Sequence, residues 1–169
     1  MAPGEAAAAL LALYDEALPQ VHRYLLRRCR GRLVAEDLTA EVFLAAVRSI
    51  RDNKVERVTV AWLIGIARHK LVDHWRAWER EERRLRAVAG ELVEGDDGWE
   101  AVVDRHLAEE VLAALAPQYR AALTLRYLDA LPVAAVAAHL DRTVGATEAL
   151  LTRSKAAFRQ AYEQYGGHP

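Results

Sequence analysis

The chain has 169 residues, 53% hydrophobic and 28% charged, with 23 Lys or Arg against 24 Asp or Glu and a formal net charge of −1. That apolar content excludes a disordered tail as the main body, and the length accommodates one domain or two small ones with modest helical cores. The balanced total excludes a simple polycation, and the lone Cys29 excludes an internal disulfide or a cysteine-based zinc site, which fits a reducing cytoplasm.

Strand signals are sparse and Ala and Leu abundant, so the periodic segments are expected to be helices. A first helix is expected from Glu5 to near Leu18, with Pro19 starting another through Val21, Tyr24, Leu25 and Arg28 before Gly31 breaks the chain. Ala35–Ile50 (AEDLTAEVFLAAVRSI) gives a third helix, opening on Glu36 and Asp37, where acids favour a helix N-terminus. Its apolar residues Leu38, Val42, Phe43, Leu44, Val47 and Ile50 form a surface broad enough for more than one neighbour. Arg51–Thr59 (RDNKVERVT) is polar and irregular, hence a loop, and a long helix follows from about Val60 to Arg86. There Ile64, Ala67, Leu71, Trp75 and Trp78 fall on one stripe, while Arg68, Arg76, Arg80, Arg83 and Arg84 lie towards another side. That second side is either a solvated face stitched by pairs such as Glu79 with Arg83, or a surface for phosphate. The apolar runs Ala6–Tyr14 and Val58–Ala67 are too short to span a bilayer and the N-terminus lacks a basic secretory start, so a soluble cytoplasmic protein without membrane insertion is expected.

Charge then changes along the chain. Residues 1–86 carry sixteen bases and twelve acids, residues 87–104 six acids and no base, and residues 105–169 seven bases and six acids. With Gly90, Gly95 and Gly98, the acidic stretch 87–104 marks a flexible linker between two helical units, 1–86 and 105–165, ahead of a frayed tail 166–169. The second unit begins near Asp104 with Leu107, Val111, Leu112 and Leu115 on one side, and Pro117 opens a helix over Gln118–Tyr127. Pro132–Leu140 (PVAAVAAHL) places Val133, Val136, Ala137 and Leu140 on one face, a turn spans Asp141–Gly145, and Thr143–Tyr162 supplies the second helix of a helix-turn-helix. Val144, Leu150, Leu151 and Phe158 are expected to pack inward, leaving Arg142, Thr152, Arg153, Lys155 and Arg159 available to phosphates and base edges. A solvated helical hairpin with no nucleic-acid role is the competing reading of this segment alone.

These elements, in this order, resemble the extracytoplasmic-function sigma factors, the small bacterial initiation subunits that retain only regions 2 and 4. AEDLTAEVFLAAVRSI is similar to the region 2.2 helix, AWLIGIARHKLVDHWRA at Ala61–Ala77 to regions 2.3 and 2.4, and LAALAPQYRAALTLRYLDALPVAAVAAHL to the start of region 4, so the likeness covers nearly the full chain. The resemblance implies an all-α fold of two small helical domains, a region 2 domain over 1–86 and a region 4 domain over 105–165. It also implies docking on core RNA polymerase, on the beta-prime clamp helices through Asp37, Glu41 and Phe43 and on the beta flap, with Ala40 standing where relatives often carry Gln. For the −10 element it implies Arg51, Lys54, Arg57, Arg68, His69, Lys70 and Arg76, the loop lacking the aromatic residue that relatives often carry. For the −35 element it implies Arg126, Arg142, Thr143, Glu148, Thr152, Arg153 and Lys155, with Glu148, Ala149 and Leu150 where many relatives have a basic residue, Ser and Arg. Promoter DNA and an anti-sigma protein are the further partners implied.

No phosphate-cradling Gly-rich loop, metal-ligand cluster or nucleophile motif is legible, and His22, His69, His74, His106, His139 and His168 are unrelated by spacing, so neither catalysis nor a cofactor is expected. Two other readings stay open on sequence alone. A stand-alone helix-turn-helix regulator would bind an operator tightly without polymerase, and a helical adaptor would be indifferent to loss of Arg153.

Overall fold

The computed structural model describes residues 1–29, 31–86 and 105–166. These are all-α, forming seven helices and one π turn and no strand among the described residues. The stretch expected to be a linker, 87–104, and Gly167–Pro169 of the expected tail lie outside them. The described residues divide into two compact units, one ending at Asp73 and the other beginning at His74.

In the first unit, α1 runs unbroken through Pro3–Leu26, so Pro19 lies inside a helix and does not start one. The expectation of a break fails because the buried stripe Ala6, Leu10, Ala17, Val21 and Leu25 continues across the proline. Pro19 itself is exposed, so the carbonyl it deprives of a partner one turn earlier can face water. Gly31, at φ +95°, makes the turn into α2, Arg32–Arg51, in a conformation costly for any side chain bearing a Cβ. This helix starts a turn earlier than expected, and Glu36 pairs with Arg32 at 2.6 Å on its surface instead of sitting in the first turn. Packing against α1 buries Ala35, Leu38, Val42, Ala46 and Ile50. The loop after α2 ends where the Thr59 hydroxyl accepts a hydrogen bond from the Trp62 amide at 3.1 Å, satisfying an otherwise orphaned donor at the start of α3, Val60–Arg86. Leu63, Ala67, Leu71 and Trp75 of α3 are buried, whereas Ile64 and Trp78, expected on the same stripe, are half-buried.

The second unit contains α4 (Arg105–Ala114), α5 (Pro117–Leu123), α6 (Val133–Leu140) and α7 (Val144–Gln164). Pro117 occupies the first turn of α5, where its missing N–H costs nothing. Buried Arg120 donates through Nε to the Leu112 carbonyl at 3.0 Å and through Nη2 to the Ala113 carbonyl, closing the C-terminus of α4. Its guanidinium also lies 5.8 Å from the Trp78 ring centroid. Ala122 packs with Leu150 and Leu151 of α7, and Tyr119, Val133 and Leu140 close around them, fixing α6 and α7 as a helix-turn-helix. Asp141 ends α6 in the left-handed region, and the Thr143 hydroxyl accepts from the Ala146 amide at 3.2 Å to start α7.

Candidate functional site

Three groups of surface residues separate on the two units. The first lies along α2, where Leu33, Asp37, Glu41, Leu44 and Val47 recur at spacings of three and four and are all exposed. Leu33 is 77%, Leu44 56% and Val47 54% exposed, so this is an apolar strip carrying two carboxylates on the side of α2 turned away from its buried stripe. Phe43 stands off the strip: two residues beyond Glu41 it points to the other side of the helix, half-buried, with its ring 5.0 Å from that of Tyr14 on α1. Leu33, Leu44 and Val47 were not singled out as site residues from sequence, although an apolar residue four before Asp37 and three after Glu41 is the signal that would have found them.

The residues expected at the −10 element split between the units. Arg51 and Lys54 are exposed in and beside the loop and flank Asp52, at 3.7 and 3.4 Å, and Arg57 is exposed farther along it. Val55 is buried and pins the middle of this cationic loop. On α3 His69 is exposed, Arg68 half-buried, and Lys70 pairs with Glu41 of α2 at 3.1 Å, the lysine side chain 29% and the glutamate 52% exposed. A pair this accessible contributes about 0.2–1 kcal/mol, so either partner can exchange it for another at little cost. Arg76 lies in the second unit, half-buried, and donates to the His139 carbonyl at 2.7 Å near the end of α6.

On the helix-turn-helix, Glu148, Thr152, Arg153 and Lys155 are exposed and Arg142 half-buried. The Thr152 hydroxyl donates to the Glu148 carbonyl at 3.1 Å and Arg153 Nε to the Ala149 carbonyl at 3.3 Å, so both side chains fold back along α7. Thr143 uses its oxygen as the helix cap. Val144, expected to pack inward, is instead 46% exposed, because as the first residue of α7 it precedes the turn that meets α5 and α6. Arg126 is half-buried and donates to the Leu131 carbonyl at 3.0 Å. Among the described residues no group of His, Cys, Asp and Glu could hold a metal ion, and no helix is long and apolar enough to cross a membrane.

Residues 13–81 match the family described as Sigma-70 region 2, and residues 105–158 that described as Sigma-70, region 4. The chain is 33% identical over 155 residues to the ECF RNA polymerase sigma factor BldN of Streptomyces coelicolor, a match covering 84% of this chain and 56% of that protein. It is 30% identical to the ECF RNA polymerase sigma factor SigL of Mycobacterium tuberculosis, with 95% of this chain and 92% of that one covered. Among solved structures it is similar in fold to the sigma factor RpoE of Bartonella quintana, co-crystallised with the anti-sigma factor NepR, at a TM-score of 0.55 and 19% identity, covering 91% of this chain and 94% of that one.

Proposed function

The chain belongs to the extracytoplasmic-function sigma factors, and from that premise we propose that it docks on core RNA polymerase, carries it to promoters with defined −10 and −35 elements, and promotes initiation in the cytoplasm with no catalytic chemistry of its own. The observation that carries the reading is the match of two sigma regions, in order, along an all-helical chain, the second match holding an exposed, cation-bearing helix-turn-helix.

In this reading the domains are region 2 over 1–86 and region 4 over 105–165. Asp37 and Glu41 orient docking on the beta-prime clamp helices, while Leu33, Leu44 and Val47 supply apolar contact. This division suits a basic coiled-coil partner, since apolar burial gives affinity and charge gives approach and register. Phe43 contributes by bracing α2 on α1 through Tyr14. Arg51, Lys54, Arg57, Arg68 and Lys70 meet phosphates of the opened −10 strand, His69 reads it, and Arg76 joins them after releasing the His139 carbonyl. Arg126, Arg142, Thr143, Thr152 and Lys155 hold the −35 duplex, Arg153 is placed to address a guanine or a phosphate, and Glu148 a cytosine amine. An anti-sigma protein would silence the chain most simply by covering the α2 strip, and region 4 would rest on the beta flap.

Reconstitution with purified core polymerase tests the whole reading. Sequenced transcript starts should cluster at defined genomic positions only when both components are present. Tight, sequence-specific operator binding by the isolated chain, with no gain of initiation by polymerase, would favour the stand-alone regulator.

A further inference from the structure

The chain leaves α5 through a π turn, Thr124–Leu128, which was not foreseen in the sequence. The Asp129 amide reaches back to the Thr124 carbonyl at 2.9 Å and the Leu131 amide to the Leu125 carbonyl at 3.0 Å, with Ala130 held at φ +52° between them. A π turn inserts an extra residue and re-aims the side chains around it, and a left-handed alanine adds a local cost that tertiary structure must offset. Here the segment delivers Tyr127 to the surface, 54% exposed, beside the helix-turn-helix. The Lys155 ammonium of α7 lies 5.9 Å from the ring centroid and the Arg126 guanidinium 5.8 Å. Arg126 is further tied to the Leu131 carbonyl, so one cation is anchored to the loop and the other is drawn to it from α7.

Resting on the assignment of α7 to −35 DNA, we propose that Tyr127 is a positioning residue for that interaction. Its ring holds Lys155, a flexible side chain with four rotatable carbons, against the same surface as Arg126, so that two positive charges are presented together to the duplex backbone. The attraction is between a cation and the ring quadrupole, which Phe retains and Leu lacks. The tyrosine hydroxyl is not required. The benefit is entropic: an ammonium already confined near phosphate loses less freedom on binding than one swinging in water.

The test uses holoenzyme assembled from core polymerase and the full chain, and as probe a promoter duplex selected from a random library by the unaltered holoenzyme. Tyr127→Phe should bind as tightly as the parent, and Tyr127→Leu about two- to fivefold more weakly, the range for an exposed cation–ring contact. Lys155→Ala should reduce the salt slope by about one and make a further Tyr127→Leu change silent. Equal binding by the parent and Tyr127→Leu, or additive losses in the double variant, would overturn the proposal. So would a loss in Tyr127→Leu that appears equally in polymerase binding without DNA, which would make the ring a protein contact. If the unaltered holoenzyme selects no duplex at all, the sigma assignment fails first and separately.

Discussion

Thr143, proposed above as a −35 contact, is first of all a structural residue at the start of α7. Its hydroxyl oxygen accepts from the Ala146 amide, while its carbonyl accepts from the Thr147 hydroxyl at 2.9 Å, so the first turn of α7 is closed twice by one residue. Thr143→Ala removes the side-chain half of this and should destabilise the second unit by about 1 kcal/mol, with Thr143→Ser close to the parent. Amide exchange at Ala146 measures it directly, and unchanged protection in the alanine variant would deny the cap its role. Helical spacing alone was enough to expect Arg153 on the outer side of α7, where it is exposed, whereas the capping role of Thr143 was not read from the sequence. The surroundings of Phe43, Arg76 and Tyr127 were not legible, because each depends on a partner far along the chain: Tyr14, the His139 carbonyl and Lys155 respectively.

At the scale of elements, periodicity located α3 at Val60–Arg86 and α6 up to Leu140, because long apolar repeats and a proline-led start leave few alternatives. It failed at Pro19, where a local rule met a buried stripe extending in both directions, and at the π turn, whose residues Thr124–Leu128 carry no compositional mark of widening. The proline makes a sharp test of which force wins. A helix-interior proline is about 3 kcal/mol worse than alanine, offset by up to ~1 kcal/mol of unfolded-state restriction. Pro19→Ala should therefore stabilise the first unit by about 2 kcal/mol, measured as a rise in its denaturation midpoint. A fall would mean that α1 depends on the proline.

At the scale of the whole molecule, the proposed division of labour between a docking strip and two DNA-binding groups predicts separable defects. Asp37→Ala combined with Glu41→Ala should weaken core-polymerase association by about two- to thirtyfold, as two exposed charge contacts of ~0.2–1 kcal/mol each would give. The helix content should stay unchanged, both side chains being exposed. Arg153→Ala should leave polymerase association intact and lower occupancy of promoters that depend on the −35 element, by about 1–3 kcal/mol if it contacts a base. Competition for core polymerase and footprinting over the two elements separate these outcomes; equal loss in both assays for either variant would contradict the partition.

The Lys70–Glu41 pair makes that partition incomplete in one place. A lesion that neutralises Glu41 strands an ammonium beside the α2 strip, where, if the strip docks as proposed, it would repel the same basic partner that the lost carboxylate would attract. Second-site revertants of such a lesion should therefore arise on the neighbouring helix, as neutral substitutions of Lys70, and they should be imperfect. On the proposed roles, each would regain hold on the enzyme while giving up a cation directed at the template, and the size of that loss would reveal how far one charge had been serving both.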